Sequence, residues 1–260
     1  SAIVPIGGLS DICETNDGRI FFISDLKKIA EITESGVLLR TISYVNSIPG
    51  TNVTGSDCEA ICYTGGDEDF DELAVLQEAS RIVFWVTIPR IGDYTINMAG
   101  VTDWIQLPGI GAPYESMRRD ILDPTRLIVG RTQVVSGTVA PYEVDVIRNG
   151  VDPIHCLTDV AFVKSTASYY YTIRGAVQVP ELFPNTVSPL RQGNGTIRLL
   201  ERIPNGNWVS YQVIPTPGTY VEGAVCRRNA TDDGWVILLC IDLGTTITKP
   251  NFFRYVRLDQ

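Results

Sequence analysis

Residues 57–63 read Asp57-Cys58-Glu59-Ala60-Ile61-Cys62-Tyr63, which places an acidic residue at the start of a short apolar strand. The same arrangement occurs four more times, and the five carboxylates are those of Asp11, Glu59, Glu115, Asp159 and Glu222. They recur at intervals of roughly 40–60 residues, which is typical of radial or stacked repeats. We therefore expect a repeat architecture in which each unit carries one carboxylate.

Each unit continues through a turn rich in Gly, Asn or Asp into a more hydrophobic strand. In the first unit the turn Asn16-Asp17-Gly18 separates two apolar runs, which is a strong hairpin signal. Helical patterns are scarce. These observations predict an all-β protein, a β-propeller of five four-stranded antiparallel blades, with six as the alternative count. One domain spans residues 1–260, with blades near 7–50, 51–100, 101–150, 151–215 and 216–260.

Three further segments of the chain are assigned individually. The fifth unit has no outermost strand, so we expect residues 2–6 to complete the last blade and close the ring. Residues 94–98 are expected to be the outermost strand of the second blade, and residues 101–111 its connection to the third. Residues 177–193, with Pro180, Pro184 and Pro189, predict a surface loop that either carries binding or only decorates the fold.

Charge and composition narrow the classes of partner. The net charge is −9, the pI is about 4.7, and the sequence contains only Lys27, Lys28, Lys164 and Lys249 as lysines. A nucleic-acid partner is disfavoured because phosphate binding needs clustered basic residues. No apolar run approaches the roughly 18 residues that a membrane span requires. Cations, glycans or proteins are the expected partners, and most of the six cysteines are expected to be small buried hydrophobes.

The repeated pattern resembles the SdiA-regulated family of β-propellers, whose fold is like that of the phytase-like esterase propellers. The resemblance implies a propeller fold and suggests a divalent-cation-dependent phosphoesterase or esterase activity. Lys249 stands where that family has an acidic residue, and the third unit lacks the family's Gly-Ile-Ala core, so no catalytic residue is carried over. The stretches that carry the resemblance are Asp57-Cys58-Glu59-Ala60-Ile61-Cys62-Tyr63, Leu9-Ser10-Asp11-Ile12, Ile23-Ser24-Asp25, Val221-Glu222-Gly223-Ala224-Val225 and Lys249-Pro250-Asn251-Phe252-Phe253-Arg254-Tyr255.

The chemistry of the five carboxylates follows from the propeller prediction. The first strand of each blade lines the central channel, so the five side chains would approach a common axis, where like charges raise one another's pKa. A bound Ca²⁺ would relieve this repulsion, with Mg²⁺ or Na⁺ as the alternative ion. The other interpretation is that the carboxylates accept hydrogen bonds from backbone N–H groups between blades or pair with arginines.

A second layer of charged residues is expected where the second strands end. It could bind an anion or a sugar, or its members could pair with one another. Its residues are Asp25, Glu78, Arg131, Arg174 and Asp242.

Patterns of catalysis are otherwise missing from the sequence. His155 is the single histidine, it is expected in a loop, and no G-x-S-x-G motif is present. The sequence therefore favours a non-catalytic, ion-stabilised interaction module that presents loops to a protein or glycan partner outside the cytoplasm, in the extracellular space, the periplasm or on a virion surface. The alternatives are a structural, decorating or receptor-binding part of a phage virion, in a higher-order assembly, and a divalent-cation-dependent phosphoesterase.

Overall fold

A computed structural model describes most of the chain, and all structural statements below concern the described residues. These are residues 1–107, 114–119, 126–135, 138–147, 155–157, 162–166, 169–172, 187–192, 196–202, 208–215, 221–228, 230–231, 234–245, 247 and 249–258. Within them the chain forms β-strands and a single turn of 3-10 helix at Met98–Gly100. The prediction of an all-β protein is confirmed.

Six sheets contain these strands. The first nine strands are β1 (Leu9–Glu14), β2 (Arg19–Ser24), β3 (Lys28–Thr33), β4 (Leu38–Val45), β5 (Cys58–Gly66), β6 (Phe70–Gln77), β7 (Ile82–Pro89), β8 (Thr95–Asn97) and β9 (Trp104–Gln106). The next six are β10 (Tyr114–Arg119), β11 (Arg126–Val135), β12 (Thr138–Ile147), β13 (His155–Leu157), β14 (Phe162–Thr166) and β15 (Tyr169–Thr172). The last six are β16 (Val187–Gln192), β17 (Thr196–Arg202), β18 (Trp208–Pro215), β19 (Val221–Arg228), β20 (Gly234–Ile241) and β21 (Phe252–Leu258).

The strands are paired as antiparallel meanders, apart from the parallel pair of β4 and β8 in sheet 1. Sheet 1 has the order β1-β2-β3-β4-β8 and sheet 2 the order β5-β6-β7-β9. Sheet 3 contains β10 to β13, sheet 4 contains β14 and β15, sheet 5 contains β16 to β18, and sheet 6 contains β19 to β21. The predicted hairpin turn between β1 and β2 is present, with Gly18 at a φ of 83°.

Alternating side chains of one strand enter different cores, because each inner sheet lies between two others. In β2, Phe21 and Ile23 pack toward sheet 2, whereas Ile20 and Phe22 pack toward sheet 6. In β6, residues 73 and 75 face sheet 1, while residues 74 and 76 face sheet 3. Burying such apolar side chains contributes about 1.5–3 kcal/mol each. This explains why both strands read as continuous apolar runs.

The first strands of the sheets lie side by side at the centre. β1 contacts both β5 and β19, and β5 also contacts β10. Sheets that radiate from neighbouring inner strands, with cores between their faces, form a β-propeller. The predicted fold class is confirmed, whereas the number of blades stays a prediction.

The outer strands of sheets 1 and 2 differ from the prediction for residues 94–98. β8 does not belong to sheet 2 but pairs in parallel with β4, through Ser43↔Thr95 and Val45↔Asn97. The outermost strand of sheet 2 is β9, which lies within the segment expected to be a connection. The reason is tertiary: Arg40 of β4 donates to the carbonyl of Gly92 (3.0 Å), which holds the preceding loop against sheet 1.

The N-terminal segment lies on the last sheet, as predicted, but not as a continuous strand. Ala2 forms one antiparallel bridge with Phe252 of β21. The amide of Asn251 then holds the backbone of Val4 on both sides: Val4 N donates to Oδ1 (2.7 Å) and Nδ2 donates to Val4 O (3.0 Å). Pro5 follows at once, and its missing N–H limits further pairing.

Two further segments form strands where loops were predicted. Residues 187–192 of the expected loop 177–193 form β16, and residues 177–186 lie outside the described residues. Pro189 is tolerated there because β16 pairs, among the described strands, only with β17. His155, also expected in a loop, lies in β13 opposite Asp145.

Candidate functional site

One β-bulge is repeated at the start of the first strand in four sheets. In each case two residues that pair with consecutive partners are separated by one residue that has no partner in the ladder. The four unpaired residues are Ser10 in β1, Glu59 in β5, Glu115 in β10 and Glu222 in β19. Such bulges bend the strand and redirect a side chain at the rim of a propeller or barrel. Three of the five predicted carboxylates therefore share one structural position.

Asp11 lies one residue beyond that position, so it differs from the other carboxylates in register. Its side chain is buried, and Oδ2 accepts a hydrogen bond from the backbone N–H of Ile61 in β5 (3.1 Å). On its other side β19 approaches so closely that a Cβ on Gly223 would lie 2.6 Å from Oδ1 of Asp11. For Asp11 the structure thus shows a carboxylate that bonds backbone between neighbouring sheets, which is the second of the two interpretations above.

Glu59 lies in a cluster that differs from the predicted ring. Its carboxylate can bring an oxygen within 4.8 Å of oxygens from both Asp57 and Glu78. Asp57 has a φ of 58°, and it is anchored because its Oδ2 accepts from Ala79 N (3.1 Å) while its carbonyl accepts from Glu78 N (3.0 Å). Burial, aided by the charges of Asp25, Glu59 and Asp57, raises the pKa of the neighbouring Cys58 thiol well above its ordinary value.

The same rim positions are occupied differently in sheet 1. There Ser10 occupies the bulge and donates to Oδ1 of Asp25 (2.6 Å), and Gly8 takes the left-handed position that Asp57 takes in sheet 2. A hydroxyl–carboxylate hydrogen bond in one sheet corresponds to a pair of carboxylates in the next. Sequence reasoning missed Asp57 as a member of the cluster, although Asp57 opens the stretch that defined the repeat.

The remaining predicted residues are placed as follows. Asp242, directly after β20, accepts a hydrogen bond from Gly244 N through Oδ1 (2.7 Å). Arg131 lies in β11 opposite Tyr114. Glu115 and Glu222 occupy the bulges of β10 and β19, and Asp159 and Arg174 lie outside the described residues. Cys13, Cys58, Cys62 and Cys240 are buried, as the sequence predicted for most of the cysteines.

The donor set of the cluster suits a hard cation. Carboxylate oxygens are the ligands that Ca²⁺ and Mg²⁺ take in proteins, and three carboxylates at one rim offer several of them. Glu59 is the one residue that belongs both to the predicted ring and to the observed cluster. The calcium site stays a prediction, with Asp57 and Glu78 joining Glu59 as the residues that would hold the ion.

The opposite end of sheet 2 presents a loop surface, which we define as residues 67–69 between β5 and β6, Phe70 at the start of β6, and residues 90–93 between β7 and β8. Ile91 is 89% exposed and Phe70 is 44% exposed. The same two loops also contain four exposed acidic residues, which are Asp67, Glu68, Asp69 and Asp93. The two loops are joined, because Arg90 N donates to the carbonyl of Asp69 (2.9 Å).

A buried network of charges supports this loop surface. Arg19 of β2 makes a bidentate pair with the buried Asp71 of β6, Nη1 to Oδ2 at 2.7 Å and Nη2 to Oδ1 at 2.8 Å. Glu31 accepts from Arg19 and from Arg40, and Arg90 pairs with Asp17 and Asp71. Three arginines and three carboxylates are thereby matched between sheets 1 and 2. The network keeps both loops in place.

A cleft of about 400 Å³ lies between the outer parts of sheets 1 and 2. β7 supplies Trp85 and Thr87 to its wall, the β8 region supplies Tyr94 and Asn97, and the segment before β9 supplies Thr102 and Asp103. Trp85 N donates to the carbonyl of Asp103 (3.0 Å), which fixes that segment against β7. The cleft exists because β8 crosses to sheet 1 while β9 returns to sheet 2.

Comparison with known proteins assigns the chain to no family. No family model and no curated protein matches it. The chain is similar to the WD40 β-propeller domain of Doa1, with a TM-score of 0.45 and 11% identity, covering 99% of this chain and 96% of that one. It is also similar to the WD40 repeats of RRP9, with a TM-score of 0.46 and 10% identity over 97% and 95% of the two chains.

In the part of the chain that the structure describes, no helix has the length and apolar character that a bilayer span requires.

Proposed function

We propose that this chain is a non-catalytic β-propeller interaction module that binds a protein or glycan partner through the loops and clefts at the edges of its sheets. The observation that carries the proposal is the loop surface, where Ile91 and Phe70 are exposed on loops that buried ion pairs hold in place. Apolar residues exposed on a fixed loop are typical of binding surfaces, because little conformational entropy is lost when a partner is bound.

The charges of the described residues support a binding role over a hydrolytic one. Arg19, Arg40 and Arg90 are engaged with Asp17, Glu31 and Asp71 in the network between sheets 1 and 2. A phosphoesterase would direct such cations toward a substrate phosphate. The proposed location is outside the cytoplasm, and the acidic composition favours a partner that carries basic or neutral groups.

The proposal is tested by site-specific cross-linking. A photoreactive phenylalanine analogue replaces Ile91, and the protein is irradiated in an extract or surface fraction of its source cells. We expect one adduct, identified by mass spectrometry, that an excess of unmodified protein suppresses. The Ile91→Asp protein should not compete, because a buried charge at the centre of the contact opposes binding.

A matched control carries the same analogue at Lys249, which is exposed in the segment between β20 and β21 and does not belong to the loop surface. Equal labelling from positions 91 and 249, or equal competition by Ile91→Asp, would contradict the proposal. Hydrolysis of p-nitrophenyl phosphate that depends on Ca²⁺ and disappears in the Glu59→Gln variant would contradict its non-catalytic part.

A further inference from the structure

The cleft between sheets 1 and 2 has the size and the walls of a small ligand site. Its volume of about 400 Å³ lies in the range of about 300–1,000 Å³ that small-molecule sites occupy. Val86, Ile96 and Val101 form an apolar floor that belongs to the core between the two sheets. The floor is therefore rigid, and the opening is bounded by segments of both sheets.

An aromatic ring borders this floor. Tyr94 is half-buried and packs against the same core, while Trp85 is buried in the adjoining core below. A half-exposed tyrosine ring that the core holds in one orientation offers a flat apolar face next to a polar hydroxyl. Such a face suits a ligand with one apolar side and polar edges.

The polar groups around the ring are mostly neutral and have capacity for further hydrogen bonds. Oδ1 of Asn97 accepts from Asn46 Nδ2 (2.8 Å) and from Ala99 N (3.2 Å), which orients the amide. Among the described residues Nδ2 of Asn97 and the hydroxyls of Thr87, Thr102 and Tyr94 make no hydrogen bond within the protein. Together they can donate to and accept from a ligand's hydroxyl groups.

Charge selects against an anionic ligand at this position. Asp103 is the one charged side chain of the lining, and it is partly exposed. A phosphate or carboxylate in the cleft would lie near that charge, and the net charge of −9 adds to the repulsion. A neutral polyhydroxylated ligand avoids this repulsion and uses the carboxylate as an acceptor.

We propose that this cleft binds a neutral saccharide, with one sugar ring against Tyr94 and its hydroxyls bonded to Asn97, Asp103 and the two threonines. The inference rests on the proposed function, because it names a glycan as the ligand class for one edge of the same module. It uses the cleft and not the loop surface, so each can fail without the other.

The test is saturation-transfer difference NMR with the whole protein. The probes are the methyl glycosides of glucose, galactose, mannose and N-acetylglucosamine, with glucose 6-phosphate and glucuronate as charged comparisons. We expect at least one neutral glycoside to bind and both charged sugars to bind more weakly. Tyr94→Ala should weaken binding about tenfold or more, and Asn97→Ala about fivefold.

Controls separate loss of binding from loss of fold. Thr95→Ala changes an exposed residue of β8 that does not line the cleft and should leave binding unchanged. Circular dichroism shows whether the Tyr94→Ala protein is folded. If it is not, Tyr94→Phe takes its place: this variant keeps the aromatic ring and should retain most of the affinity. Ile91→Asp should bind glycosides normally, which distinguishes failure at the cleft from failure at the loop surface.

Three results would overturn the inference. They are no binding by any neutral glycoside, binding that Tyr94→Ala and Asn97→Ala leave unchanged, and tighter binding of the charged sugars.

Discussion

At the scale of residues, the rim of the first two sheets shows how one substitution changes the chemistry of a repeated position. Ser10 donates to Asp25 in sheet 1, whereas the corresponding Glu59 faces Glu78 and Asp57 in sheet 2. The hydrogen bond of sheet 1 satisfies its own carboxylate. In sheet 2 the corresponding position brings three carboxylates close together, which is an arrangement that can hold a cation.

Calcium addition tests this rim directly. Because an ion held by the folded rim stabilises only the native state, we expect Ca²⁺ to raise the Tm and a chelator to lower it. A Ca²⁺ excess of about 100 times Kd contributes about 2.7 kcal/mol. Asp57→Asn should abolish the shift if the observed cluster binds the ion, and Asp11→Asn if the predicted ring does. Glu68→Gln, an exposed acid elsewhere, is the control, and a Tm indifferent to Ca²⁺ would rule out both sites.

Two aspartates with a lowered pKa, Asp67 in the loop surface and Asp17 in the charge network that supports it, predict how the stability of the fold depends on pH. Burial alone raises the pKa of Asp17, but hydrogen bonds from Thr15 and Arg19 and the charges of Arg19 and Arg90 outweigh it, so the pKa falls below the ordinary 3.8. Backbone N–H groups of Asp69 and Phe70 lower the pKa of Asp67. A carboxyl with a lowered native pKa stabilises the fold above its unfolded pKa, and this stabilisation is lost as the pH falls through the native value.

We therefore expect the free energy of unfolding, measured with urea, to be maintained from about pH 7 to pH 5 and to fall steadily below about pH 4. Asp67→Asn retains an oxygen acceptor for the two N–H groups but cannot be protonated in this range. It should therefore lose less stability between about pH 4 and pH 2 than the parent protein. An equal loss in both proteins would show that Asp67 does not contribute.

At the scale of elements, the first strands β1 and β19 approach each other very closely at Gly223. A Cβ there would lie 2.7 Å from Cα of Asp11 and 2.8 Å from N of Ile12, and neither backbone atom can move without shifting β1. We expect Gly223→Ala to lower the free energy of unfolding by about 1–3 kcal/mol in urea unfolding. Gly100→Ala meets nothing within 4 Å and should be nearly neutral. Equal effects of the two changes would show that β1 and β19 do not pack as described.

The ion pairs between sheets are expected to contribute differently to the free energy of unfolding, because they differ in burial. Asp71 is fully buried, so Asp71→Ala leaves Arg19 without its bidentate partner and should cost about 3–5 kcal/mol. In a double-mutant cycle with Arg19→Met, the coupling energy should be clearly above zero, because the second change removes the unpaired charge. The pair Arg254–Glu34 also joins two sheets but is about one-third exposed, and its cycle should give less than about 1 kcal/mol. Similar coupling in both cycles would contradict this ordering.

At the scale of the whole molecule, one side chain helps to hold the N-terminal segment on the last sheet, in addition to the bridge between Ala2 and Phe252. Asn251 is buried and bonds both the N–H and the carbonyl of Val4, while Val4 and Ile6 pack into the core between sheets 6 and 1. Asn251 therefore has a structural role in this chain. It connects the last sheet to the segment that precedes the first.

We expect Asn251→Ala to lower the free energy of unfolding by about 1–3 kcal/mol, because two buried backbone groups lose their partner. Removing residues 1–6 should lower the Tm further and promote self-association, since the edge of β21 becomes free to pair with another chain. Lys249→Ala, two residues away and exposed, is the control for Asn251→Ala. Light scattering and thermal unfolding provide the measurements, and a truncated protein that stays monomeric and equally stable would contradict the prediction.

Some segments of the fold could be predicted from the sequence and others could not. Apolar runs separated by Asn-Asp-Gly and similar turns predicted the all-β fold and the hairpin between β1 and β2, because these depend on neighbours along the chain. The position of residues 2–6 was predicted in a different way, from the outermost strand that the fifth unit lacks. Period-two alternation in β2 and β6 was hidden by the fact that both faces are buried. The parallel pairing of β8 with β4 depends on Arg40 and the carbonyl of Gly92, which are 52 residues apart, and no local pattern reports it.

The carboxylate repeat was visible in the sequence, whereas its meaning was decided by the tertiary structure. Spacing alone counted Asp11 with Glu59, Glu115 and Glu222, because acidic residues recur near the strand starts. Only the pairing register shows that Ser10, and not Asp11, has the bulge position that the three glutamates have in their own strands. A shift of one residue along a strand turns the side chain to the opposite face. The sequence by itself determined that a carboxylate recurs in each unit. The packing of neighbouring strands decided that one of these carboxylates bonds backbone between sheets and that another joins Asp57 and Glu78 at the rim.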